Sequence, residues 1–324
     1  MALLEKLASP KLSALILLWL VLTLPPITRE LLSPATAVTI GGVAFLINLL
    51  AFLWLSPFFR QRPGLLIFHA ALAFFLILAA LSRLTWLEGH AEIASGETFD
   101  GHPLQKSQGI FHPDTLNQLR FTNQGFTIDY APGLKRGPTR NQVSWTDAHG
   151  SRLQAIIGDD TPLILNHYRF YTTANKGFAP LFTWQPKKGQ PVTTPLHLPS
   201  YPLFEKQTNT WTLPEDGPQI TATLNLEETI LDETQKSQFR LPTRYSLTVA
   251  VDGQETTLRP GQEMPLPSGR LRLDGLTSWM GYRIHYDRTR PWLLATVLVA
   301  TAGLAWHFRT KFHPPADQPP ETTA

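Results

Sequence analysis

The chain has 324 residues, 43% of them hydrophobic, with a formal net charge of +3 and no cysteine. Four stretches, 12–28, 31–59, 63–82 and 291–308, hold no Asp, Glu, Lys or Arg. An apolar run of roughly 18 residues or more is long enough to cross a hydrocarbon core about 30 Å thick, which excludes a simple soluble globule and predicts four membrane spans.

Charge distribution excludes a second class. From Arg83 to Arg290 the chain is neutral, with 21 basic and 21 acidic residues. The surplus basic residues flank the spans, so they read as topology signals rather than as a nucleic-acid surface. With the N-terminus inside, the short cytoplasmic segments hold Lys6, Lys11, Arg60, Arg62, Arg309 and Lys311, against Arg29 alone in the short outer loop. This orientation puts both termini in the cytoplasm and residues 83–290 outside it. The compartment is then the periplasm or outer face of a bacterial plasma (inner) membrane, or a thylakoid lumen. Without cysteine the outer domain has no disulfides and cannot itself perform thiol–disulfide exchange.

The expected organisation is a three-span membrane domain (1–87), an extracytoplasmic β-rich domain (88–289), a fourth span (290–310) and a disordered cytoplasmic tail (311–324). Span one, from Leu12 to about Ile27, lacks a small-residue cleavage pattern and reads as an anchor rather than a cleaved signal. Pro25 and Pro26 are expected to end its helix. Span two, TAVTIGGVAFLINLLAFLWL, is followed by Phe58 and Phe59, which with Trp54 suit an interfacial aromatic belt. Gly41 and Gly42 suit either close helix packing or simple tolerance of small residues. Span three, GLLIFHAALAFFLILAALSRLTW, ends near Arg83 and Trp86.

Residues 90–290 change to short alternating runs rich in Tyr, Phe, Thr, Val and Ile. These are QLRFTNQGFTIDY (118–130), RLQAIIG (152–158), HYRFYTT (167–173), ITATLNL (220–226) and YSLTVAV (245–251). Period-two alternation predicts half-buried strands, and Asp252-Gly253 predicts a hairpin turn. One stretch, 225–238, has a helical period. The domain is expected to be mostly antiparallel β, a sandwich or two stacked sheets. Span four follows Pro291 and ends at His307 and Phe308; the tail HPPADQPPETTA is too poor in apolar residues to pack.

His69 lies about six residues into span three, roughly 9 Å deep at 1.5 Å per residue. An ionisable side chain at that depth raises a functional hypothesis. The alternative is a neutral imidazole bonded to a neighbouring helix. A lone membrane histidine makes a poor closed zinc site, whereas haem iron needs only one or two axial ligands, often imidazole. Phe68, Phe74 and Phe75 could pack against a porphyrin or simply against lipid. His307, roughly 3 Å inside the end of span four, is a weaker ligand candidate. It reads equally as part of an interfacial anchor with Trp306, Phe308 and Arg309. His90 and His102, near Glu88, Glu92 and Glu97, read as solvated loop histidines or an outer-face site. The adjacent pairs Asp159/Asp160 and Glu227/Glu228 point apart on a strand. No Ser-His-Asp ordering, phosphate loop or Cys/His cluster signals an enzyme.

Three stretches carry a family resemblance. They are FHAALAFFLILAALSRLTWLEGHAEIASGETF, FTIDYAPG…VSWTDAHGSRLQAIIGDDTPLILNHYRFYTTANKG with its Arg169-Phe170-Tyr171 motif, and MGYRIHYDRTRPWLLATVLVATAGL. With the layout of three spans, outer domain and last span, the chain resembles the ResB-like family of cytochrome c biogenesis proteins. The resemblance implies a non-catalytic membrane component that works with a CcsA-type multi-span haem-handling protein and assists haem delivery to apocytochrome c on the outer face. It also implies that His69 is an axial ligand of a transient haem b. The alternative from another class is a structural or assembly subunit of a different membrane complex, with the β domain as a protein-binding module.

Overall fold

The computed structural model describes residues 7–31, 33–214 and 217–312. These fall into two compact units. One holds the described residues up to Trp86, Gly109–Phe111 and those from Asp287; the other holds Leu87–Gln108 and His112–Tyr286.

The first unit contains helices α1 (Pro10–Leu22), α2 (Leu24–Thr28), α3 (Pro34–Leu55), α4 (Pro57–Arg60), α5 (Pro63–Thr85) and α6 (Arg290–Phe312). Helices α1 to α5 each carry proline in their first two positions, and Pro291 is the second residue of α6. There the missing N–H costs nothing, because the first turn has no intrahelical acceptor for it. This explains a departure from expectation at Pro25 and Pro26. They do not end the first helical span but sit in the opening turn of α2. The prolines remove the N–H groups that would bond the carbonyls four residues back, so the helix breaks at Thr23 and restarts. Thr23 keeps helical angles, and its hydroxyl donates to the Leu20 carbonyl at 2.7 Å.

Four helical segments are long and apolar enough to cross a membrane: Pro10–Thr28, Thr36–Leu55, Pro63–Thr85 and Arg290–Phe312. Helix α6 includes Lys311 and Phe312, which the sequence had assigned to the tail; residues 313–324 of that expected tail lie outside the described residues, as does Lys6. Cations sit on aromatic rings at two helix ends, Arg62 over Phe58 at 4.4 Å and Arg83 over Trp86 at 4.7 Å.

Two devices hold the helices together. Asn48 of α3 is buried, with its amide donating to the carbonyls of Leu7 and Ser9 and its oxygen accepting from the Ser13 hydroxyl. Gly64 of α5 and Gly303 of α6 form a backbone crossing. A Cβ on Gly64 would lie 2.6 Å from the His307 nitrogen, and one on Gly303 would lie 2.9 Å from the Phe68 nitrogen. Small residues allow such approach where helix packing, rather than the hydrophobic effect, drives association. The two glycines of span two divide: a Cβ on Gly41 would strike Leu20 at 2.5 Å, whereas Gly42 faces open space.

The second unit is built of strands β1 (Leu87–Ala94), β2 (Thr98–Phe99), β3 (Gln105–Gln108), β4 (Phe121–Ala131), β5 (Lys135–Thr146), β6 (Arg152–Ile157), β7 (Leu163–Leu165), β8 (Tyr168–Pro186), β9 (Val192–Pro195), β10 (Thr208–Thr212), β11 (Gln219–Leu226), β12 (Ser237–Gln238), β13 (Tyr245–Val251), β14 (Gln254–Leu258), β15 (Glu263–Leu266) and β16 (Gly269–Tyr286). They form three antiparallel sheets rather than the two of the expected sandwich or stacked pair. The order is β3-β1-β16-β8-β7 in the largest, with β15 on β16 and β9 on β8. It is β10-β11-β13-β14 in the second, and β12-β4-β5-β6 with β2 on β4 in the third. The stretch 225–238 is not helical; it leaves β11, turns, and ends in β12. Asp252 and Gly253 both have positive φ, 49° and 81°, as the primed hairpin turn between β13 and β14 requires.

Strands β8 and β16 run together from Gly269↔Pro186 to Tyr286↔Tyr168, with register shifts between Leu273 and Gly275 and between Met280 and Tyr282. Their inward side chains Phe170, Phe178, Phe182, Trp184, Leu271 and Ile284 are fully buried. A closed polar network crosses this core. Tyr282 donates to Asn141 at 2.7 Å, Asn141 donates to Asn123 at 2.7 Å, and Asn123 donates to the Ile93 carbonyl at 2.9 Å. Every member has a partner, so the network fixes register without leaving an orphaned dipole.

The crossing can be tested. Gly64→Val forces the α5 and α6 backbones apart and is expected to destabilise the helical unit by about 1–3 kcal/mol, the usual cost of overpacking. Gly42→Val, facing open space, is expected to be neutral. Thermal unfolding of both variants in detergent, followed by tryptophan fluorescence, checks the contrast.

Candidate functional site

His69 sits in the second turn of α5 and is half-buried. Its Nδ1 lies 2.8 Å from the carbonyl oxygen of Leu65, one turn back. A carbonyl can only accept, so Nδ1 carries the proton, and in the neutral ring Nε2 is the nitrogen with the lone pair. Among the described residues no hydrogen bond reaches Nε2. The ring lies 4.9 Å from Phe59 and 5.0 Å from Phe68, centroid to centroid, the second contact edge-on. Phe59 is fully buried and also packs edge-on against Phe52 at 5.2 Å. The proline-started turn of α4 thus delivers an aromatic wall to the imidazole.

Helix geometry decides which way His69 faces. Gly64, Ala71 and Leu78 are buried at seven-residue spacing, and Gly64 marks the side that meets α6. His69 lies five residues on, about 140° round the helix. It therefore faces Phe59 rather than the glycine crossing. His307 is brought to the crossing by its backbone, its nitrogen lying against Gly64; its half-buried ring packs beside Phe308 at 5.6 Å. Among the described residues the two imidazoles make no ring contact with each other. Phe74 is exposed and Phe75 half-buried, and neither has a ring contact with His69.

The remaining candidates belong to the β unit. His90 is exposed on β1, paired in register with Arg283. His102 is exposed in a loop, 3.5 Å from Asp100. Among the described residues no group of three or more His, Asp or Glu side chains could hold a metal ion. Glu228 accepts hydrogen bonds from Arg240, Arg244 and Thr243, which hold its carboxyl well below the usual range.

Sequence reasoning missed an ionic cluster. Lys176 on β8 is buried, its ammonium donating to the Tyr201 carbonyl at 3.0 Å and lying 5.6 Å from the Tyr130 ring centre. Nearby, Arg136 pairs with Asp159 at 3.0 Å and bonds the Thr139 hydroxyl. Burial, reinforced by the Arg136 charge, brings the Lys176 amine down to about 8 despite Asp159. Burial pushes the Asp159 carboxyl up, but hydrogen bonds from Arg136 and Thr172 outweigh it and hold the group below its ordinary value. Tyr130 is pushed up to about 12, mainly by burial. Asp159 and Asp160 gave only an adjacent-pair signal in sequence; the partners Arg136, Thr172 and Lys176 come from two other strands.

The arrangement around His69 is a single imidazole ready to act through Nε2, oriented by its own helix and walled by Phe59 and Phe68. The profile of one protein family matches residues 59–311, from this aromatic wall through the β unit to the end of α6. The chain belongs to the ResB-like family. No curated protein matches it. Membership in the ResB-like family assigns the chain to cytochrome c biogenesis, and the four long apolar helices mark it as a membrane protein. ResB-like proteins generally work with a CcsA-type partner.

Lys176 makes a pH prediction. Its folded-state pKa of about 8 lies below the ordinary lysine value of 10.5. Between these values the unfolded chain binds more protons, so stability rises with pH. The raised phenols act oppositely, their contribution being lost only above about pH 10. From about pH 8 to about 9.5, the thermal midpoint of the wild type is expected to rise relative to that of Lys176→Met, as followed by near-ultraviolet circular dichroism. Parallel curves would show that Lys176 titrates normally.

Proposed function

We propose that this ResB-like protein assists delivery of haem to apocytochrome c on the outer face of a bacterial plasma membrane, with His69 as an axial ligand of a transient haem b and a CcsA-type protein as partner. The observation that carries the reading is the 2.8 Å bond from His69 Nδ1 to the Leu65 carbonyl. A ligating histidine ordinarily donates its second ring N–H to a carbonyl or carboxylate, which fixes the tautomer and raises the basicity of the other nitrogen. Phe59 and Phe68 supply the apolar surroundings that suit a porphyrin. If haem binds here, His69 would hold its iron through Nε2, and the haem would be the cargo passed on with the partner.

The chain's own residues do the rest. Leu65 orients the ring, α4 and Phe59 limit its rotation, and Gly64 and Gly303 keep α6 close enough to form one helical body. His307 is a positioning element of that crossing and a weaker ligand candidate. The basic residues Lys11, Arg60, Arg62, Arg309 and Lys311, against Arg29 in the opposite loop, support cytoplasmic termini and an extracytoplasmic β unit. The role is non-enzymatic: the chain binds and positions, and the β unit offers the surface for apocytochrome or partner.

The protein, purified gently with its partner from cells supplied with haem, is expected to give a b-type pyridine haemochrome spectrum. His69→Ala is expected to lower the bound haem at least tenfold, while His307→Ala retains it. Imidazole added to His69→Gly should restore part of the signal. Equal haem in wild type and His69→Ala removes His69 as the ligand. A haem-free wild-type complex favours the other reading, an assembly subunit in which the Leu65 carbonyl merely satisfies a structural histidine.

A further inference from the structure

The segment Gly109–Phe111 leaves the β-rich part of the sequence and packs with the helical unit. The reason is local and specific. The last carbonyls of a helix have no intrahelical donor, and α5 ends at Thr85 with Trp86 as its cap. The Phe111 N–H donates to the Leu84 carbonyl at 2.8 Å, and the Gly109 N–H donates to the Trp86 carbonyl at 2.9 Å. Only glycine permits this contact: a Cβ at position 109 would lie 2.2 Å from the Leu84 oxygen and 2.8 Å from that of Arg83. The strap thus satisfies carbonyl groups at the end of a helix long and apolar enough to span a bilayer.

The strap carries its two side chains outward. Ile110 is 80% exposed and Phe111 67% exposed, adjacent to each other and level with the final turn of α5. That same turn carries Arg83 stacked on Trp86, the basic-aromatic pairing found where a span meets the headgroups. On α5 itself Ile77 and Leu81, in the last turns before this end, are also exposed.

We propose that Gly109–Phe111 is a membrane-interface anchor, in which Ile110 and Phe111 insert into the lipid leaflet at the C-terminal end of α5. Their partner is the boundary between headgroups and acyl chains, which accepts apolar side chains from a segment lying in its plane. The anchor fixes the depth at which α5 ends and caps that end at the same time. It rests on α5 being a span and is independent of haem binding.

The absence of cysteine gives a clean test. Ile110→Cys and Phe111→Cys, each carrying a nitroxide, are placed in phospholipid nanodiscs as full-length protein. Relaxation by oxygen, which concentrates in lipid, is compared with relaxation by a water-soluble nickel chelate. Leu81→Cys on α5 is the lipid reference and Thr256→Cys on β14 the water reference. Labels at 110 and 111 are expected to show an oxygen-to-nickel ratio several-fold above that at 256 and close to that at 81. Nickel accessibility equal to that at 256 overturns the anchor, as does shielding from both reagents, which would mean that protein covers the segment. Water-like behaviour at 81 would remove the span itself and the anchor with it.

Discussion

Two closures between segments about 200 or more residues apart in sequence hold this chain together. Leu87, the first residue of β1, pairs with Tyr286, the last residue of β16. In the helical unit, α5 and α6 meet at the Gly64–Gly303 crossing. The chain segments that flank the β unit are therefore bound to each other once as strands and once as helices. Neither closure tolerates much change. The strand pair is fixed by register, since a one-residue slip reverses every side chain, and the helix pair is fixed by two positions where a Cβ has no room.

Much of the architecture was readable from sequence because the underlying constraint is coarse. A hydrocarbon thickness sets a minimum apolar length, and all four long helices follow from it. Alternation located β4, β6, β11 and β13, and Asp252-Gly253 located the hairpin because positive φ restricts which residues fit. The failures share a cause. HYRFYTT marked only the start of β8, because bulges in its pairing with β16 interrupt simple alternation over the full 19 residues. Three sheets replaced the expected two because strand partnerships are non-local. The prolines of the first span looked like a stop and proved to be a restart, since proline is disfavoured inside a helix yet welcome in its first turn.

The site was legible in one respect and not in another. An imidazole in an apolar run is conspicuous, so His69 could be singled out. That its Nδ1 bonds Leu65 and that Phe59 walls it depended on a short helix, Pro57–Arg60, that the sequence reading did not separate from span two. His307 lies within about 6 Å of His69 in depth by residue count but not on the same side of the helix pair, which depth arithmetic alone could not resolve. Asn48 was passed over within the apolar letters of α3, although a carboxamide in a span demands partners as firmly as an imidazole does. The Lys176 cluster is spread over β5, β8 and the loop after β6, beyond the reach of any local pattern.

The position of β16 also governs the order of events as the chain is made. It lies at the centre of the seven-stranded sheet, between β1 and β8, yet it is the last strand synthesised. Until it arrives, β1 has only the four-residue β3 beside it, and β8 has only its short neighbours β7 and β9. Non-local pairing of this kind is slow and exposes strand edges while it waits. The seven-stranded sheet can close only when Tyr286 has been synthesised, just before the first residue of α6, Arg290.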